Sequence, residues 1–261
     1  MNNPLLLLWS SASRTEVGKV RKVNEDACLD LPEIGLWAVA DGMGGHAAGD
    51  LASRMIVEEL QQLDAPESLS DFIDKVSSRL LAVNAALRAE SARRDRRTIG
   101  STVVVLVAFA YECACIWAGD SRIYRVRGGE MVRLTDDHSL VEEYVTRGIL
   151  RREDAESSPQ ANVITRAVGV VEDLELDTRA YALNAGDTFL LCSDGLYKEL
   201  SEPEIARCIA TGGSDHQTIV DTLTETALSR GARDNLTTVL VTIRDGLEGE
   251  SAAEPGPAAK L

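Results

Sequence analysis

Three acidic residues stand at the ends of apolar runs. Asp41-Gly42 follows Leu36-Trp37-Ala38-Val39-Ala40, Asp194-Gly195 follows Thr188-Phe189-Leu190-Leu191-Cys192-Ser193, and Asp234-Asn235 precedes Leu236-Thr237-Thr238-Val239-Leu240-Val241. Runs of this length and content read as buried strands. A carboxylate at the end of such a strand is costly to desolvate without a partner. One could be a turn residue. Three of them suggest a shared cation, and hard divalent ions take oxygen ligands of this type. A glycine directly after the Asp lets a backbone carbonyl approach the same ion without steric conflict.

Further strand-like runs fall at residues 5–12, 34–40, 101–109, 113–119, 121–126, 174–182, 187–193 and 236–243, and Gly128-Gly129 marks a hairpin turn. Helical spacing is clearest at Phe72, Val76, Leu80, Val83 and Leu87, and again at Ile219, Val220, Leu223, Ala227 and Leu228. A third helix is expected from Gly49 to Leu63, and Ser201 with Glu204 resembles a capping box. Many antiparallel-looking strands with a few long helices predict an α+β domain with helices over sheets. Residues 147–162 are polar and aperiodic and read as a mobile surface segment, and 246–261 reads as a disordered tail. The catalytic domain is therefore expected to span 1–244, with 245–261 as the tail.

Charge and composition narrow the function. The formal net charge of −15 argues against nucleic-acid binding, which needs a basic patch. No run approaches the roughly 18 apolar residues of a membrane span. The five cysteines form no C-x-x-C pair, which fits a reducing cytosol, and Cys113 and Cys115 read as core residues on one face of a strand. With only His46, His138 and His216, a His-rich zinc site is not expected. Gly42-Met43-Gly44-Gly45-His46-Ala47 matches the dinucleotide fingerprint formally, but Asp41 beside the turn would oppose a pyrophosphate. The better reading is a sharp backbone turn around an ion held by Asp41. Arg21-Lys22-Val23-Asn24-Glu25-Asp26 reads on its own as a solvated charged turn, and Gly119-Asp120-Ser121-Arg122 as a tight turn that could also present a metal ligand.

Read together, these pieces resemble the metal-dependent Ser/Thr protein phosphatases of type 2C. The matching segments in order are Val17-Gly18 to Arg21 with Asn24-Glu25-Asp26, Val39 to Gly45, Gly100-Ser101-Thr102, Ala118 to Arg122, Asp136 to Ser139, Ile164 to Gly169, Cys192 to Leu196, and Asp234 to Thr237. The resemblance covers about residues 8–244, and eight segments in the right order are highly specific.

It implies a four-layer αββα sandwich, with two antiparallel sheets flanked by helices. It implies that Asp41 bridges two Mn²⁺ or Mg²⁺ ions, with the Gly42 carbonyl on one and Asp194 and Asp234 on the other. Asp120, with Asp194, would hold a third divalent ion. Arg21 would bind the substrate phosphate, Glu25 and Asp26 would act through metal-bound water, and residues 139–162 would form a flap beside the site. Two ions of this kind make a hydroxide from water at neutral pH, and that hydroxide attacks phosphorus in line with the leaving seryl or threonyl oxygen. Eukaryotic members place a histidine directly after the Asp-Gly, where this chain has Met43, so a metal-bound water would protonate the leaving group, with His46 three residues on as the alternative donor.

The expected partners are phosphorylated proteins and the circuit of a cognate Ser/Thr kinase, with type VI secretion as one setting. The expected state is a cytoplasmic monomer that binds neither nucleic acid nor membrane. The contrasting function is a catalytically inert phosphoprotein-binding module of the same fold. Such modules typically lose metal ligands, and this chain retains them.

Overall fold

Along one strand, Phe189 and Leu191 point into one core while Leu190 and Cys192 point into another. Both sets are fully buried, as the period-2 alternation of a strand requires when its sheet is covered on both faces. The same alternation in Trp37 and Val39 against Ala38 and Ala40 does this for the second sheet.

The computed structural model describes residues 7–44, 48–93, 98–155 and 158–246. In chain order its strands are β1 (Leu7–Glu16), β2 (Asp26–Leu31), β3 (Leu36–Met43), β4 (Gly100–Ser101), β5 (Val103–Phe109), β6 (Glu112–Ala118), β7 (Arg122–Arg127), β8 (Glu130–Arg133), β9 (Asp177–Ala182), β10 (Thr188–Cys192) and β11 (Leu236–Asp245). Its helices are α1 (Ala48–Gln61), α2 (Leu69–Arg93), α3 (Leu140–Thr146), α4 (Arg152–Ala155), α5 (Asp194–Tyr197), α6 (Glu202–Thr211) and α7 (His216–Arg230).

One sheet has the order β1-β11-β10-β7-β8, and the other runs β2-β3-β5-β6-β9 with β4 beside β3. Every named pairing is antiparallel. The sheets meet over Trp37, Leu106, Trp117, Phe189, Leu191 and Val241. Helices α1 and α2 cover the outer face of the second sheet through Ile56, Leu60, Phe72, Val76, Leu80 and Leu87. Helices α5 to α7 cover the first through Leu196, Ile205, Ile219 and Leu223. Each such buried side chain contributes about 1.5–3 kcal/mol. The result is the expected α+β four-layer sandwich. No helix among the described residues is long and apolar enough to cross a membrane.

Several elements differ from the sequence reading. The run 101–109 is two strands, broken at Thr102, because β4 pairs with the end of β3 while Ser101 also bridges to Val168. Asp41 lies within β3 rather than beyond it, since pairing with β4 carries the strand on to Met43. Asp26 is not part of a solvated turn: it opens a strand that the charged sequence hid, and it faces Asp41 across the ladder. The run 174–182 becomes strand only at Asp177, where pairing with Trp117 begins. Within 147–162, Arg152–Ala155 forms a single helical turn. The Ser201–Glu204 box is present, with the Ser201 N–H donating to Glu204 Oε2 at 3.0 Å, and Cys113 and Cys115 lie in the inter-sheet core. His46, Leu5, Leu6 and the tail from 247 onward lie outside the described residues.

Candidate active site

Antiparallel pairing gathers the far end of β3, β6 and β10 and the near end of β2 and β11 at one edge of the sandwich. Asp26 and Asp41 are directly opposed across β2 and β3. Asp120 follows β6, Asp194 follows β10 as the first residue of α5, and Asp234 lies just before β11. The acids picked out along the sequence thus converge, and the electrostatics bear this out. Asp41 is held well above the usual carboxylate range, first by loss of water and then by the charges of Asp26, Asp194, Asp120 and Asp234.

Asp26 is 7% exposed and Asp120 is 4% exposed. Ser193 Oγ and Thr237 Oγ1 donate to Asp26 Oδ2 at 2.8 and 2.7 Å. Burial nevertheless pushes Asp26 up to about 7, and Asp194 and Asp234 add to the rise. Burial, then the charge of Asp194, pushes Asp120 up to about 7. The Oδ1 atoms of Asp26, Asp120 and Asp194 are buried with no hydrogen-bond donor. Orphaned buried carboxylate oxygens are expensive. Three at one edge form a cradle of hard oxygen donors that fits Mn²⁺ or Mg²⁺.

Among the described residues, no group of three or more His, Cys, Asp or Glu side chains is packed closely enough to hold an ion as it stands. At the rim two cations hold two of the acids. Arg21 Nη2 donates to Asp234 Oδ2 at 2.7 Å, and the Lys198 ammonium pairs with Asp194. Lys198 also donates to Asn162 Oδ1 at 2.8 Å, tying the flap to the site. A cavity of about 400 Å³ lies between the flap and these residues, lined by Asp120, Arg122, Val141, Arg152, Tyr197 and Lys198.

The backbone around the acids is clamped from neighbouring elements. The Thr102 N–H and Ser101 Oγ both donate to the Asp41 carbonyl at 2.9 Å. The Gly42 N–H donates to the Glu25 carbonyl at 3.0 Å, and a Cβ on Gly42 would stand 2.2 Å from the Gly49 carbonyl oxygen. Only glycine admits so close an approach of α1. A Cβ on Gly195 would stand 2.0 Å from the Asn235 carbonyl oxygen, so the Asp194-Gly195 and Asp234-Asn235 turns of the first sheet touch through their backbones. Glu25 is partly buried, and its carboxylate lies against Gly49.

Three contributions escaped the sequence reading. Asn235 is 5% exposed, and its amide donates to the carbonyls of Val17 and Val23, both at 3.0 Å, while its Oδ1 accepts the Glu25 N–H at 2.8 Å. It staples both ends of the loop that carries Arg21. Lys198 carried a signal, since it follows Asp194 by four residues, one helical turn. Ser193 and Thr237 stood inside the quoted motifs, but nothing along the chain tied them to Asp26, because only the fold brings them there.

The family model described as Protein phosphatase 2C matches residues 18–241. The serine/threonine protein phosphatase PstP of Mycobacterium tuberculosis is 34% identical over 243 residues, covering 92% of this chain and 46% of that protein. The chain therefore spans about half the length of this curated relative. Among solved structures, PppA, described as a key regulatory component of T6SS in Pseudomonas aeruginosa, superposes with a TM-score of 0.85 at 45% identity over 91% of this chain and 99% of its own. The catalytic domain of PstP in complex with two manganese ions superposes with a TM-score of 0.83 at 32% identity, covering 92% of this chain and 100% of its own.

Proposed function

The chain belongs to the protein phosphatase 2C family, and on that premise we propose that it is a metal-dependent protein serine/threonine phosphatase whose catalytic unit is the span 1–244. The observation that carries this reading is the buried carboxylate cluster with three unpartnered oxygens and an arginine at its rim. In this reading Asp41, the Gly42 carbonyl, Asp194 and Asp234 would hold two Mn²⁺ or Mg²⁺ ions, a number supported by the two manganese ions of the PstP domain. Asp120, with Asp194, holds a third.

Bound ions supply the Lewis acidity that activates water and offsets phosphoryl charge. The protein's own groups do the rest. Asp26 is locked in one rotamer by Ser193 and Thr237 and adds negative charge beneath Asp41. Glu25 stands beside it at the mouth of the site. Arg21 has a half-exposed side chain on a stapled loop, and its planar fork can leave Asp234 to take the equatorial oxygens of a phosphoryl group. Met43 offers no proton to the leaving alkoxide, so that proton comes from water.

The substrate is a phosphoseryl or phosphothreonyl protein, and the enzyme opposes a Ser/Thr kinase in the cytoplasm as a monomer. The 45% identity to PppA supports a place in type VI secretion control.

The test is phosphate release from a phosphothreonine peptide with Mn²⁺, with EDTA, and with Asp234→Asn. Release is expected with Mn²⁺, none with EDTA, and a loss of about 10²-fold or more in the variant. No release from a folded sample with any divalent ion would turn the reading to an inert phosphoprotein-binding module.

A further inference from the structure

The chain carries a net charge of −15, and most of its described cations are matched to carboxylates, as Arg14, Arg79, Arg122, Arg127, Arg179 and Arg230 illustrate. Lys19, Lys22 and Arg233 are not, and neither are Arg125, Arg207 and Arg244, but only the first three lie beside Arg21. Among the described residues none of them has a carboxylate within ion-pair distance, and all three are exposed. They are also together. Lys19 and Lys22 flank Arg21 on the loop 17–23, and Arg233 precedes Asp234 on the facing turn.

Backbone contacts join loop and turn into one rim. The Lys19 N–H donates to the Ala232 carbonyl at 2.9 Å. Gly18, with φ at +75°, approaches so closely that a Cβ would stand 2.2 Å from the Asp234 carbonyl oxygen. Asn235 then holds Val17 and Val23 from beneath. The same loop exposes two valines, Val20 at 65% and Val23 at 47%.

From this placement we infer that the rim formed by Lys19, Lys22 and Arg233 is a substrate-selecting surface that favours phosphorylated segments with Asp or Glu beside the phosphoresidue. The inference rests on the phosphatase reading of the neighbouring site. A protein this acidic repels acidic chains over most of its surface. A rim whose basic side chains have no ion-pair partner, at the phosphate-binding edge, gives such a chain a favourable approach, and it raises both encounter rate and register specificity there. Val20 and Val23 offer apolar contact to the stem of the same segment. Hydrogen bonds hold the backbone of the rim in place, while the long basic side chains are ordered only on binding.

The experiment compares the full chain with the triple variant Lys19→Glu, Lys22→Glu, Arg233→Glu and the single variant Lys22→Glu. The substrates are two phosphothreonine peptides that differ only in acidic or neutral flanks, together with p-nitrophenyl phosphate, which has no flanks. With Mn²⁺ at low salt, kcat/KM is expected to favour the acidic peptide by about tenfold, the sum of a few exposed charge pairs, and the preference is expected to shrink at high salt. The triple variant should abolish or invert the preference, and the single variant should weaken it. Turnover of p-nitrophenyl phosphate should stay within about twofold. Equal kcat/KM for the two peptides in the unmodified chain, or a preference that survives the triple variant, would overturn the inference.

Failure of the phosphatase reading has a separate signature, no hydrolysis of any of the three substrates. In that case the fluorescence anisotropy of the same peptides, labelled, decides the point. Tighter binding of the acidic peptide that is lost in the triple variant supports the rim, and equal binding refutes it.

Discussion

Asp41 shows how one residue can be a liability to the fold and an asset to the site. Four other aspartates act on it, and loss of water already raises its proton affinity well above that of a free carboxylate. Without ions, its charge works against the folded state. Asp41→Asn should therefore raise the melting temperature in EDTA at about pH 8, while abolishing both the thermal shift on adding Mn²⁺ and most turnover. Differential scanning fluorimetry with and without metal reads both effects. A variant that melts below the parent in EDTA would show that the charge cluster is not a net strain. Asp26 sits in the same field, but its two hydroxyl donors partly offset burial. The charged pattern around it read as a surface turn, and only the ladder that pairs it with β3, with Ser193 and Thr237 donating to it, accounts for its burial.

At the scale of elements, the loop 17–23 is the segment whose conformation matters most and whose support is most local. It has no internal ladder, and besides the Lys19–Ala232 bond and the Arg21–Asp234 pair its two ends are held by one buried amide side chain. Asn235→Ala removes three hydrogen bonds and strands two carbonyls and an N–H, which should cost about 3 kcal/mol. Urea unfolding gives that cost, and hydrogen exchange should show the loss of protection concentrated near residues 17–25. A uniform rise in exchange across β11 instead would mean that Asn235 supports the sheet rather than the loop. The flap is attached differently. Asn162 meets Lys198, which is itself bound to Asp194, so this flap contact shares a cation with a residue of the site.

For the whole molecule, the acid cluster couples folding to pH and to divalent ions. Asp26 and Asp120 are pushed up to about 7, whereas in the unfolded chain they titrate near the ordinary aspartate value of 3.8. Between those values the folded state holds more protons than the unfolded state. Stability is then fully present below the lower value and falls as pH rises toward the upper one. In EDTA, calorimetry should show the melting temperature dropping from about pH 5 to about pH 8. Saturating Mg²⁺ or Mn²⁺ should restore more at the higher pH, where the acids are ionised and bind ions better. A metal-free melting temperature that rises over this interval would contradict the raised values.

Alternating apolar runs, helix faces and the order of eight short motifs were legible along the chain, because each depends on residues within a few positions of one another. They determined the α+β layers, the three strand-end aspartates and the family resemblance. The break at Thr102, the strand that begins at Asp26, the Asn235 staple and the Lys198–Asn162 contact were not legible. Each depends on register between segments far apart in sequence, and a strand's side chains change face with a shift of a single residue. Tertiary structure alone decided which of forty-two acidic residues lose their water together and which basic residues are left without a partner. Burial and charge pairing are properties of the packed molecule, not of the local chain.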